Sequence, residues 1–103
     1  MAKQILSFNE KVWELTKNIP KGKVSTYKEI AHALNTKAYQ AVGNALNKNP
    51  HAPIVPCHRV LPSTGKIGGF AHGPKKKMEL LKKEGIEFEK NKIKNFSNVL
   101  YRF

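Results

Sequence analysis

The chain has 103 residues, enough for one domain with a modest core, since 40% are hydrophobic and nine are aromatic. Nineteen lysines and arginines against seven glutamates give a formal charge of +12, the footprint of a polyanion binder with nucleic acid as the obvious partner; a solubilising lysine surface or attraction to anionic lipid would give the same sum. No apolar run reaches the roughly 20 residues that span a bilayer, Met1-Ala2-Lys3-Gln4 lacks a signal-peptide core, and there is no aspartate on which to build a magnesium-dependent phosphoryl-transfer site, so a cytoplasmic chain that is no kinase is expected.

Among the basic residues only Arg59 and Arg102 are arginine. Phosphates are easily neutralised by such a surface, but bidentate readout of guanine is scarce, and low sequence specificity follows. One cysteine and four histidines do not form a metal set at recognised spacing, so no metal and no cofactor are expected.

Phe8, Val12, Leu15 and Ile19 recur at helical spacing behind Ser7 and Glu10, which predicts a capped first helix from Ser7 to Asn18. Pro20-Lys21-Gly22-Lys23 stops it, and Thr26-Tyr27-Lys28-Glu29 reads as a capping box opening a second helix through Ile30, Ala31 and Leu34. After the turn Asn35-Thr36-Lys37, a third helix is predicted from about Ala38 to Asn47, ending before Asn49-Pro50. Two short helices, the second rich in small residues, resemble a helix-turn-helix; helix-on-helix packing explains the same alanines, and the charge tips the reading toward DNA.

Pro50 to Pro56 holds three prolines and reads as an extended, rigid approach to Cys57. Arg59-Val60-Leu61, the turn Pro62-Ser63-Thr64-Gly65 and Lys66-Ile67-Gly68-Gly69-Phe70 read as a hairpin, the wing beside a helix-turn-helix. Pro74 suits the first turn of a last helix whose apolar residues are Met78, Leu80 and Leu81 and whose stop is Gly85. The tail from Ile86 to Phe103 has no clear pattern. The fold class is thus mostly α with a small β-hairpin, a winged-helix-like domain spanning residues 1–103.

Cys57 is either buried packing or a nucleophile. Its neighbours in Pro56-Cys57-His58-Arg59-Val60 argue for the second, because a polar pair is wrong for an apolar pocket and a nearby imidazole or guanidinium favours the attacking thiolate. Taken alone, His58, Tyr27 and Glu84 have duller readings as packing or surface residues.

That run, preceded by Ala41-Val42-Gly43-Asn44-Ala45-Leu46 and Asn49-Pro50 and followed by Gly65-Lys66-Ile67-Gly68-Gly69-Phe70, resembles the O6-alkylguanine-DNA alkyltransferases, as do Val24-Ser25-Thr26-Tyr27 and Glu84-Gly85. The likeness covers residues 8–86. It implies a DNA repair protein that binds double-stranded DNA through a helix in the minor groove, flips an O6-alkylguanine out and transfers the alkyl group to Cys57, once per molecule.

In this resemblance His58 takes the thiol proton through a water and Glu84 orients the imidazole. Tyr27 donates toward the leaving oxygen, and Asn49 braces the reactive turn. The carbonyls of Cys57 and Val60, with the loop at Phe70 and Ala71, hold the base. Thr26, Tyr39, Gln40, Ala41, Gly43, Asn47, Lys48, Arg59 and Ser63 meet the DNA.

The chain departs from the family pattern in having Gln40 where an arginine usually fills the gap left by the flipped base, which predicts slower repair. His72 stands where a smaller residue is common, and the active domain is expected alone and monomeric, without the frequent amino-terminal accessory domain. In length it resembles the alkyltransferase-like proteins, which bind the lesion without reacting and commonly carry tryptophan at the cysteine position; Cys57 separates it from them. A non-catalytic lesion-recognition or architectural DNA-binding protein is the rival reading. A thiol hydrolase fits the Cys-His pair but neither the charge nor the helix-turn-helix.

Overall fold

The computed structural model describes residues 6–51, 54–68 and 73–103. Helix α1 (Phe8–Lys17) opens on the expected capping box: Ser7 Oγ accepts the Glu10 N–H at 3.2 Å and Glu10 Oε1 accepts the Ser7 N–H at 3.0 Å. Its buried stripe differs from the predicted one. Phe8 is exposed, and Thr16 enters the core because its hydroxyl donates to the Val12 carbonyl one turn back at 2.7 Å.

Strand β1 (Ser25–Thr26) runs straight into α2 (Tyr27–Ala33), which Thr26 caps by accepting the Glu29 N–H at 3.0 Å. A turn with Asn35 in the left-handed region leads to α3 (Tyr39–Asn47), completing the helix-turn-helix. The apolar faces of α1, α2 and α3 form one cluster, with Val12, Ile19, Ile30, Ala31, Val42, Ala45, Leu46 and Val60 buried. Burying such a side chain contributes about 1.5–3 kcal/mol. Trp13 adds direction to this packing, since its indole N–H donates across to the Ala45 carbonyl at 2.8 Å.

The wing is built otherwise than the sequence predicts. β2 (Val60–Leu61) follows a 3₁₀ turn at Cys57–Arg59 and pairs in parallel with β1, Ser25 opposite Val60 and Thr26 opposite Leu61. Lys66, expected on a strand returning against β2, bridges instead to Lys92; Gly69 and Phe70 lie outside the described residues. The hairpin of this fold is in the tail: β3 (Phe88–Glu89) pairs antiparallel with β4 (Lys92–Ile93). Gly68 sits at φ +70°, and a Cβ there would stand 2.6 Å from the Pro62 ring, so the turn admits only glycine.

α4 (Pro74–Lys83) ends as predicted at Gly85, φ +92°. Gly85 N–H donates to Lys82 O and Ile86 N–H to Leu81 O, a Schellman close that leaves Glu84 at the C-cap. A second cluster joins Val24, Leu61, Leu81, Ile86 and Ile93 with Phe88, Phe96 and Val99, the last two on the single turn α5 (Phe96–Val99). No helix among the described residues is long and apolar enough to cross a membrane.

Candidate active site around Cys57

Asn49 shapes the approach to the cysteine. Its Oδ1 accepts the His51 N–H at 2.8 Å and its Nδ2 donates to the Val55 carbonyl at 2.9 Å; that same carbonyl accepts the Cys57 N–H at 2.8 Å. The segment therefore doubles back, with Val55 N–H also bonded to His51 O, instead of running extended as its prolines predict. Local side-chain bonds from asparagine outcompete the extended preference there.

Behind the half-buried Cys57, three polar side chains interlock. His58 is buried and its Nε2 lies 3.0 Å from Glu84 Oε2. Arg59 holds the same carboxylate with a fork, Nε to Oε1 at 2.9 Å and Nη2 to Oε2 at 2.6 Å, while Nη1 donates to the Ile19 carbonyl at 2.9 Å. Burial pushes Glu84 up, but the hydrogen bonds and charges of Arg59 and His58 outweigh it and hold the carboxyl below its ordinary value. An ionised carboxylate only accepts, so the neutral imidazole carries its proton on Nε2, which leaves Nδ1 as the basic nitrogen. Burial lowers the His58 pKa; the bond and charge of Glu84 oppose this, and the charges of Arg59 and Lys77 add to it.

Arg59, expected at the DNA, forms an internal clamp here, its side chain 15% exposed. Thr26, also expected at the DNA, is 3% exposed and its hydroxyl caps α2.

Tyr27, at the first position of α2, is half-buried, and burial together with the charge of Cys57 raises its pKa, which keeps it a phenol. Beside it stands a residue that sequence reasoning missed. Lys77 is fully buried, its Nζ 6.0 Å from the Tyr27 ring centroid, and burial brings its pKa down to about 8 against the upward pull of Cys57. Lys75-Lys76-Lys77 reads as a solvated run, yet Lys77, Leu81 and Glu84 share one helix face at i, i+4 and i+7. Assigning Glu84 to the site carries Lys77 with it.

The expected DNA face is mostly exposed. Tyr39, Gln40, Asn47 and Lys48 are exposed on or next to α3, Ala41 and Gly43 are half-buried, and Ser63 is exposed in the Pro62–Gly65 turn. A Cβ on Gly43 would meet nothing within 4 Å, so no contact inside the protein requires glycine there. Val60 is buried, its N–H closing the 3₁₀ turn onto the Cys57 carbonyl. Phe70 and Ala71 lie outside the described residues. Among the described residues, no three histidine, cysteine or acidic side chains cluster to hold a metal ion.

Residues 7–86 match a family model described as the DNA-binding domain of 6-O-methylguanine DNA methyltransferase. The methylated-DNA-protein-cysteine methyltransferase of Methanosarcina acetivorans is 49% identical over 86 residues, covering 82% of this chain and 55% of the relative. That of Sulfolobus acidocaldarius is 46% identical over 83 residues, 81% of this chain and 52% of the relative, so the chain spans about half the length of these curated relatives. The Mycobacterium tuberculosis OGT in complex with DNA superposes with a TM-score of 0.74 at 40% identity, over 79% of this chain and 51% of that one. S. pombe Atl1 in complex with damaged DNA containing O6-carboxymethylguanine superposes at 0.78 with 32% identity, over 93% of this chain and 95% of that one. With 80 of its residues inside the family model, this chain belongs to the O6-methylguanine DNA methyltransferase family, through that family's DNA-binding domain.

Proposed function

We propose that this chain repairs DNA by direct reversal, moving an alkyl group from O6 of a flipped guanine in double-stranded DNA to the sulfur of Cys57. The observation that carries the reading is the chain of contacts Cys57 turn, His58, Glu84, Arg59: a nucleophile, a neighbouring base and a carboxylate that is itself locked in place. The alkyl carbon is out of reach in a stacked duplex, so the base must first leave the helix.

His58 Nδ1 takes the thiol proton through a water, and Glu84 stabilises the imidazolium that results. The thiolate forms a bond to the alkyl carbon as the carbon–oxygen bond breaks, and the electron pair remains on the purine. Tyr27 supplies a proton to the leaving purine, and the proton held on His58 restores the phenol. Lys77, buried against Tyr27 on the helix face that carries Glu84, supplies a positive charge that favours the thiolate. No route returns the thioether to a thiol, so each molecule acts once. The protein acts in the cytoplasm as a monomer.

Intact-mass measurement after incubation with an O6-methylguanine duplex tests this: the protein gains one methyl, and Cys57→Ser gains none. The likeness to S. pombe Atl1 over nearly both whole chains favours a second reading, lesion recognition without transfer. Tight binding of the alkylated duplex with no gain in mass would establish that reading instead.

A further inference from the structure

The tail carries charge that the Cys57 site does not use. On β4, Lys92 faces Glu89 of β3 on one side and Lys66 on the other, the latter across an antiparallel bridge. Residues directly opposite in an antiparallel pair project to the same face, so two ammonium groups share one exposed surface with the Glu89 carboxylate on the far side of Lys92, and like charges directly opposite destabilise a sheet.

Two hollows lie along this pair. Lys66, Lys75 and Asn91 rim one of about 500 Å³ floored by Ile67, Pro74 and Met78, and Lys90, Lys92 and Lys94 rim another of about 460 Å³ with Glu89. Neither reaches Cys57. Among the described residues, none of these five lysines takes part in an ion pair.

The surface is fixed in place, because Ile93, Phe88 and Phe96 pack in the same cluster as Leu61 and Leu81, and Ile93 N–H donates to Gly65 O at 3.0 Å. It starts directly after the Pro62–Gly65 turn that exposes Ser63, and Lys90, Lys92 and Lys94 lie beyond the 7–86 span of the family's domain.

We propose that this lysine face binds the phosphate backbone of duplex DNA without preference for sequence or lesion. A phosphate between Lys66 and Lys92 converts their repulsion into attraction, and lysine neutralises phosphate as a point charge without reading bases. The inference rests on DNA as the partner in the proposed function, but on neither the lesion nor Cys57.

The test is binding of the full chain to an unmodified duplex, followed by fluorescence anisotropy over a range of salt concentrations. The double variant Lys66→Gln/Lys92→Gln should lower the slope of log K against log salt by about 1.8, about 0.9 for each phosphate no longer neutralised. It should weaken alkylated and unmodified duplexes by the same factor, while Lys66→Arg/Lys92→Arg keeps the wild-type slope. Relief of repulsion predicts a melting temperature no lower than wild type; if the double variant melts early, Lys66→Gln and Lys92→Gln are tested singly, each removing about 0.9. An unchanged slope overturns the proposal, as it would if the face served an acidic protein instead, and so does a weakening confined to alkylated duplex. A protein that never gains a methyl on Cys57 would sink the repair reading yet leave this slope measurable, so the two failures are distinct.

Discussion

A buried ammonium group works against folding, and Lys77 is held beside the Tyr27 ring with its pKa brought down by burial to about 8. Keeping it charged at pH 7 costs on the order of 3 kcal/mol relative to an ordinary lysine, a cost that makes sense where the charge serves a thiolate. Lys77→Met should therefore raise stability at pH 7 by about 1–3 kcal/mol in denaturant titrations while slowing single-turnover alkyl transfer; a variant both less stable and equally fast would refute the account. The sign of the pH dependence follows from the depressed value. Between about 8 and 10.5 the unfolded chain binds the proton better than the folded one, so this lysine's contribution to stability is present above 10.5 and is lost as pH falls through about 8. Wild-type stability should rise relative to Lys77→Met over that window. His58 gives a kinetic counterpart: burial holds its pKa below the ordinary imidazole value, so the transfer rate should hold through neutral pH and fall only on the acid side. Glu84→Gln removes the groups that raise it, and should move that fall to lower pH while reducing the plateau rate; a shift toward higher pH would contradict the assigned bond.

At the level of elements, α3 carries a glycine that its own packing does not need. Gly43 lies in mid-helix, where glycine is less favourable than alanine by about 0.5–1 kcal/mol, and a Cβ would enter open space. Gly43→Ala should accordingly stabilise the free protein by about that amount and weaken duplex binding, because the added methyl stands where a DNA backbone would approach; thermal melting and anisotropy read the two effects separately, and unimpaired binding would remove Gly43 from the interface. Helices α1, α2 and α4 were legible because their signals are local: Ser7 with Glu10, Thr26 with the Glu29 N–H, Gly85 after Glu84. β1 and β2 were not, since two-residue strands show no alternation and their parallel pairing joins positions 25 and 60. The Arg59 clamp was illegible for a related reason. In a chain with charge +12 an arginine reads as a phosphate ligand, and only the fold brings Glu84, 25 positions on, into its fork.

Across the whole molecule, the β1–β2 ribbon divides the two apolar clusters, Val60 facing one and Leu61 the other, as successive strand residues must. The tail straps the ribbon from its far edge. Val24 N–H donates to Val99 O at 2.9 Å and its carbonyl accepts the Tyr101 N–H at 2.6 Å; Ser25 Oγ donates to Tyr101 O at 2.9 Å and Lys23 Nζ to Asn98 O at 2.8 Å. None of this was visible in the tail's sequence, where each partner lies some seventy-five positions away and only burial of Phe96 and Val99 on one side and Tyr101 on the other selects the arrangement. Tyr27 follows this strand directly, so the strap bears on the site as well as on stability. Truncation after Asn95 removes the strap and with it Phe96, leaving the Val24 backbone groups without those partners and exposing aromatic surface worth about 1.5–3 kcal/mol per buried side chain. The truncated protein should be less stable by about 3 kcal/mol, unfolding at lower denaturant concentration, and should transfer alkyl groups more slowly at temperatures where it remains folded. A truncated protein with unchanged denaturation midpoint and unchanged transfer rate would show that the ribbon and Tyr27 need no support from the tail.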